Sequence, residues 1–245
     1  SKKRLPKTFH YQRGEHWTLR PNQQSAVNSF IKAVKNGRRN LLMYAVMRFG
    51  KSFTSLCCAL EISANIVLVV SAKADVKDEW KKTVEGAGNF SEYVFLETYD
   101  LASSENAIKT NREENKKVVI FLTLQDLQGD VIKDKHKELF KEQIDLLIVD
   151  ETHFGARAKS FGKILENAGY EKSDKFNIIK LDDENIDVNV AEEELKQINA
   201  RIRLHLSGTP YRILMGSEFE KEDIISFVQF SDIVKEQEEW DKNHL

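Results

Sequence analysis

Residues 40–54 read NLLMYAVMRFGKSFT, and the order of residue types in this stretch decides how the rest of the chain is read. Asn40 to Val46 form a short apolar run of strand composition, a turn follows, and Lys51 opens a segment of helical pattern reaching Ile62. A Gly-Lys-Ser at such a junction is the end of the Walker phosphate-loop pattern, which asks for Gly, four residues, then Gly-Lys-Ser/Thr. Here Ala45 takes the first place and Gly50-Lys51-Ser52 complete the pattern. The free N–H groups and dipole of the helix start would face phosphate, with Lys51 reaching the outer phosphates and the Ser52 hydroxyl holding a metal. Gly50 alone has to bring its backbone close to the ligand. Arg48 and Phe49 fit if their side chains leave the concave face, although an arch with so little glycine restricts the backbone. The competing reading is an ordinary helix start in a lysine-rich chain.

On either side, NQQSAVNSFIKAVKNG has apolar residues at helical spacing and closes on Gly37, and the apolar strands NIVLVV, EYVFLE, KVVIFLT, IDLLIVD and RIRLHLS follow. KADVKDEWKKTVEGAG has helical composition, whereas SSENAIKTNREENK reads as loop. A charged helix is expected before IDLLIVD. Strands apolar on both faces and alternating with helices indicate an α/β domain with a mostly parallel sheet covered on both sides. Residues 1–18 form a basic arm, with Lys2, Lys3, Arg4, Lys7 and Arg13 and no acid among the first thirteen; such an arm touches phosphates or is simply solvated. Residues 169–200 are an acid-rich insertion, read as a solvated loop or as an added hairpin through FNIIKL and IDVNV. Residues 213–245 alternate poorly and are read as a tail leading out of the domain.

With 245 residues and 41% hydrophobic content the chain can bury a core, and its net charge of −2 excludes a bulk polycation that grips nucleic acid along its whole length. No apolar run approaches the roughly 18 residues of a membrane span and no secretory block opens the sequence, so a cytoplasmic protein without a membrane partner is expected. Cys57 and Cys58 are adjacent, a spacing that suits neither a disulfide framework nor a zinc site; they read as small buried residues on a helix.

The second chemical signal is LLIVDETHFG, residues 146–155. A buried strand ending in Asp150-Glu151 offers one carboxylate to hold a metal and another to orient and deprotonate a water. An acid pair capping the next helix would account for the doublet alone, but not for a phosphate loop upstream.

Together with LRPNQQ and SGTP, these motifs resemble the first RecA-like domain of superfamily 2 helicases and translocases, over residues 19–212, with DETH as a DExH box. RFGK, ETHFGA and LHLSGTPYR look most like the motor domains of type I and type III restriction enzymes. The resemblance implies a RecA-like P-loop NTPase fold and a DNA-dependent ATPase using ATP and Mg2+. Gln23 would read adenine; Arg48, Phe49, Gly50, Lys51 and Ser52 would form the phosphate loop; Ser52 and Asp150 would hold the metal. Glu151, with Asp150 and Lys51, would be catalytic, and His153, Ser207 and Thr209 would couple the nucleotide site to nucleic acid. Lys73, Thr123 and Gln125 stand where nucleic-acid contacts are made, although Thr123 also suits a helix cap and His153 a buried polar contact. Trp17 is the nearest aromatic for adenine, or a core residue. The family places ATP between two such domains, and a second one, on the order of 150 residues, does not fit after residue 212. The implied partners are that second domain, a nucleic acid (DNA before RNA), and the nuclease or methyltransferase parts of a restriction complex.

Alternative functions are an RNA helicase domain or a nucleotide-binding scaffold without catalysis. A GTPase is excluded by order: SAK lies too early and no Asn-Lys-x-Asp reads guanine. The Glu-x-Lys tripeptides EWK, ENK and ELK are chance matches in so charged a chain and do not make a nuclease.

Overall fold

The computed structural model describes residues 9–103, 107–127, 139, 141–150, 195–208 and 219–244. Its centre is a seven-stranded sheet of β1 (Asn40–Ala45), β2 (Ile66–Ser71), β3 (Tyr93–Glu97), β4 (Lys117–Thr123), β5 (Ile144–Asp150), β6 (Ala200–Ser207) and β7 (Ile224–Val228). The order is β3-β4-β2-β5-β6-β1-β7, and every pairing is parallel. The helices are α1 (Pro21–Lys35), α2 (Lys51–Glu61), α3 (Lys77–Gly86), α4 (Thr98–Ser103), α5 (Ala107–Glu113) and α6 (Phe230–His244). Among the described residues no helix is long and apolar enough to cross a membrane.

The apolar runs become central strands because both of their faces are covered. All six residues of β2 are buried: Val67 and Val69 join one cluster with Phe30, Phe53 and Trp80, and Leu68 and Val70 join the other with Ile108, Ile120 and Leu195. Side chains alternate across a strand, so one uninterrupted Val/Leu run serves two cores. Cys57 and Cys58 are buried on α2, as expected.

Two expectations are corrected. The stretch read as loop before β4 contains α5, and α4 ends at its first residue, Ser103; α5 is a short helix held by tertiary contacts, with Ala107 and Ile108 in the second core cluster. The stretch read as a tail supplies β7, paired with β1 from Leu42↔Ile224 to Ala45↔Val228, and then α6. Its alternation is poor because β7 lies at the sheet edge, where Phe227 remains half-exposed while Ile225 and Val228 are buried.

The N-terminal arm, as far as it is described, is fastened to α3. Arg13 donates to the carbonyls of Val84 (2.7 Å) and Ala87 (2.9 Å), a cation at the negative end of a helix dipole. Glu85 accepts from the Tyr11 N–H at 2.8 Å and meets His10 Nδ1 at 2.8 Å. Most of the acid-rich insertion, the charged helix before β5, Glu151, His153 and Thr209 lie outside the described residues.

Candidate nucleotide site

In a parallel sheet the carboxyl ends of all strands share one edge, and the register identifies the row along it. Thr123 pairs with Ser71, Ser71 with Asp150, Asp150 with Leu206, and Ser207 with Tyr44, the penultimate residue of β1. Only β6 separates β5 from β1, so at about 4.8 Å per strand Asp150 ends roughly 10 Å from the strand that feeds the phosphate loop. Asp150 and Ser207 are both buried.

The loop between β1 and α2 solves its shortage of glycine in three places. Arg48 adopts φ 69° and Gly50 φ 83°, two left-handed residues separated by one. Phe49 points into the first core cluster and is 1% exposed, whereas Met47 is 80% exposed and Arg48 lies on the surface. The side chains thus leave the concave face as the sequence reading required. Gly50 is needed twice over, for its positive φ and because a Cβ there would lie 2.6 Å from Gln23 Nε2.

Gln23, on the first turn of α1, is buried against this loop. Its Nε2 donates to the Phe49 carbonyl (2.7 Å) and its Oε1 accepts from the Arg20 N–H (2.9 Å). Arg20 was not singled out from the sequence, yet its Nη2 donates to the carbonyls of Arg48 (3.1 Å) and Phe49 (2.6 Å). Its position three residues before Gln23 in LRPNQQ is the signal that was available.

Lys51 and Ser52 begin the eleven-residue α2, whose first turn has no acid to repel an anion. The Ser52 hydroxyl donates to Glu79 Oε1 of α3 at 2.9 Å. A hydroxyl has one proton, so giving it to Glu79 leaves the oxygen lone pairs as the ligand, which suits a hard cation with oxygen coordination. Glu79 is a second residue that sequence reasoning missed; it comes from another helix, and nothing in KDEW marks it. Main-chain donors, an ammonium, a serine oxygen and the Asp150 carboxylate are a fitting set for a nucleotide phosphate chain with Mg2+.

The remaining expected residues lie along the same edge without joining the loop. Thr123 forms a cap: its N–H and Oγ1 both donate to Asp126 Oδ2 at 2.8 Å, and Gln125 is exposed on the 3-10 turn that follows. Lys73 is exposed beyond β2, its N–H donating to Ser71 Oγ at 3.2 Å. Nearby Lys77 and Lys81 are both engaged by Glu97, at 2.5 and 3.6 Å. Burial pushes the Glu97 carboxyl up, but the two lysines outweigh it and hold it below its ordinary value. Trp17 packs at 5.5 Å on Phe53 of α2 and keeps 40% of its surface exposed.

A parallel sheet in this order, with a Gly-Lys-Ser loop after β1 and an acidic strand end one strand removed, is a RecA-like P-loop fold. The chain belongs to the family described as "Type III restriction enzyme, res subunit", which matches residues 16–212. It is 29% identical over 243 aligned residues to a Mycoplasma pneumoniae protein assigned by its name to the type II restriction enzymes and methyltransferases (RM.MpnORF110P C-terminus). That match covers 89% of this chain and 32% of the relative, so the chain spans about a third of the length of this curated protein. Among solved structures it is similar to the ATP-dependent type ISP restriction-modification enzyme LlaBIII bound to DNA, with TM-score 0.55 and 14% identity over 91% of this chain and 16% of that one. The Sulfolobus solfataricus SWI2/SNF2 ATPase core domain gives TM-score 0.52 and 15% identity over 86% of this chain and 35% of that one. The same core in complex with double-stranded DNA gives 0.50 and 13% over 82% and 34%.

Proposed function

We propose that this chain is the ATP-binding motor domain of a DNA-dependent ATPase in a restriction-modification enzyme. The carrying observation is the shared edge: Asp150 and Ser207 end β5 and β6, and β1, which leads through the loop to Lys51 and Ser52, lies two strand spacings from β5. In this reading the N–H groups at Gly50, Lys51 and Ser52 and the Lys51 ammonium hold the phosphates, and Ser52 and Asp150 hold Mg2+. The metal, when bound, offsets phosphate charge in the transition state. Glu151, directly after Asp150, orients and deprotonates the attacking water. The Gln23 amide still has one N–H and one lone pair beyond its contacts with the Phe49 carbonyl and the Arg20 N–H, enough to read an adenine edge.

His153, Ser207 and Thr209 couple this site to nucleic acid, and Lys73, Thr123 and Gln125 face the track. Duplex DNA is favoured over RNA because the similar proteins include a restriction-modification enzyme bound to DNA and an ATPase core in complex with double-stranded DNA. A second RecA-like domain would close the site and bring arginines; without them the isolated domain hydrolyses slowly, since such an arginine is worth about 10³ or more in rate. Nuclease or methyltransferase parts complete the enzyme.

The test is ATP turnover by the complete polypeptide with duplex DNA, single strands or poly-RNA. Stimulation by duplex DNA, and its loss in Glu151→Gln with ATP binding retained, is the expected result. Stimulation by poly-RNA alone would make the chain an RNA helicase domain, and binding without turnover would make it a scaffold.

A further inference from the structure

The last helix reaches back to the phosphate loop. Glu236 of α6 accepts a hydrogen bond from the Asn22 N–H (2.9 Å) with one carboxylate oxygen and meets Arg20 Nη1 (3.4 Å) with the other. The carboxylate is well covered, its side chain 11% exposed, and one turn earlier Ile233 packs against the first core cluster. Arg20 therefore spans two elements: Nη1 faces α6, and Nη2 holds the Arg48 and Phe49 carbonyls. The planar guanidinium presents these donors in a fixed fork, so the direction imposed by Glu236 is transmitted to the loop.

The effect on the loop follows from peptide planarity. Across a trans peptide the C=O of one residue and the N–H of the next point in opposite directions. The Phe49 carbonyl is drawn outward by Arg20 Nη2 and Gln23 Nε2, so the Gly50 N–H is turned the other way, into the concavity. Arg48 is held in a left-handed conformation that an L-residue rarely keeps unaided, and its carbonyl is bonded to the same guanidinium.

We infer that Glu236 is a positioning residue for the phosphate loop, acting through Arg20, so that a displacement of α6 changes how the loop presents its N–H donors to nucleotide. The inference rests on the reading of this loop as a phosphate cradle and adds a control element from the far end of the chain, Glu236 bonding Asn22 across 214 residues of sequence. It gives the C-terminal segment a role at the site.

Glu236→Gln keeps an acceptor for Asn22 but removes the charge facing Arg20; Arg20→Lys keeps the charge but cannot reach both elements. Two measurements on the full chain test the inference. The first is amide hydrogen exchange at Phe49 and Gly50 without nucleotide; the second is the Mg2+-dependent affinity for a fluorescent ADP analogue, with thermal midpoints as a folding control. Exchange in Glu236→Gln should rise and affinity fall about two- to fivefold, the range for an ion pair of this exposure. Arg20→Ala should weaken binding about tenfold by removing charge-assisted bonds. Adding Glu236→Ala to Arg20→Ala should weaken it no further, because Glu236 acts through the arginine. Unchanged loop exchange and affinity in Glu236→Gln would overturn the inference, as would a full additional loss in the double variant. Failure of the unaltered chain to bind the analogue would instead overturn the phosphate-cradle reading, while loop exchange still decides whether Glu236 and Arg20 set the loop.

Discussion

Replacing Gly50 with alanine tests the geometry of the loop at its tightest point. Gly50 sits at φ 83°, ψ 48°, a conformation that costs an L-residue about 1–2 kcal/mol. The new methyl would lie 2.6 Å from Gln23 Nε2, well inside contact distance, so the amide must withdraw. Withdrawal breaks the 2.7 Å bond to the Phe49 carbonyl. Arg20 still satisfies that carbonyl, but the Gln23 amide is buried, and an unsatisfied buried donor costs about 1–3 kcal/mol. The two effects sum to about 2–5 kcal/mol, a large share of a typical stability of about 5–15 kcal/mol. Urea denaturation of Gly50→Ala measures the sum, and the Gln23→Ala background separates its parts. With the amide gone only the backbone penalty remains, so the second substitution should cost about 1–2 kcal/mol there. Strict additivity of the two changes, or a loss below about 1 kcal/mol in Gly50→Ala alone, would refute the reasoning.

The neighbouring side chains give a contrast by the same assay. Phe49→Ala empties a buried ring site and should cost about 3–5 kcal/mol, whereas Met47→Ala, on a side chain 80% exposed, should stay within about 0.5 kcal/mol; the opposite order would invert the loop's inside and outside. Stability should also respond to alkali, because burial, reinforced by the Glu61 carboxylate, pushes the Cys57 thiol from its ordinary value near 9 up to about 12. The folded chain then keeps a proton that the unfolded chain releases, so this contribution is complete below pH 9 and is lost as pH rises toward 12. Urea midpoints measured across that window should fall less steeply in Cys57→Ala, and an identical slope would show that Cys57 does not contribute.

The sheet was legible because its strands are buried on both faces, and residues such as Ile66–Ser71 and Ile144–Asp150 carry that burial as unbroken apolar runs. Gly50-Lys51-Ser52 and Asp150 were legible because each follows such a run, and the parallel register brings the ends of those runs to one edge. β7 was not, since one face of an edge strand is poorly covered and Phe227 reads there as surface. α4 and α5 were hidden by their brevity: six and seven residues give too few turns for a period, and their stability comes from packing. At the site, Arg20, Glu79 and Glu236 escaped notice for a different reason. Each acts through a hydrogen bond across 27 or more residues of sequence, and charged residues at such separations leave no pattern in a chain that is 31% charged.

A phosphate loop rich in glycine can adopt its arch without help, and folding must then supply the entropy of ordering it. This loop has one glycine, and other groups hold it on three sides: Phe49 is sunk in the core, Arg20 and Gln23 grip the outward carbonyls, and Ser52 is tied to Glu79 on α3. All of these contacts are made by the chain's own groups, so they would hold the donors turned toward the place where phosphate is proposed to lie. In the proposed role, binding would then lose less conformational entropy, which favours affinity. The same contacts tie the loop to α1, α3 and, through Glu236 and Arg20, α6, so movement of any of these helices would change the loop. A motor that must alternate between holding and releasing nucleotide can use such dependence, because an arch held from outside is changed by moving its supports.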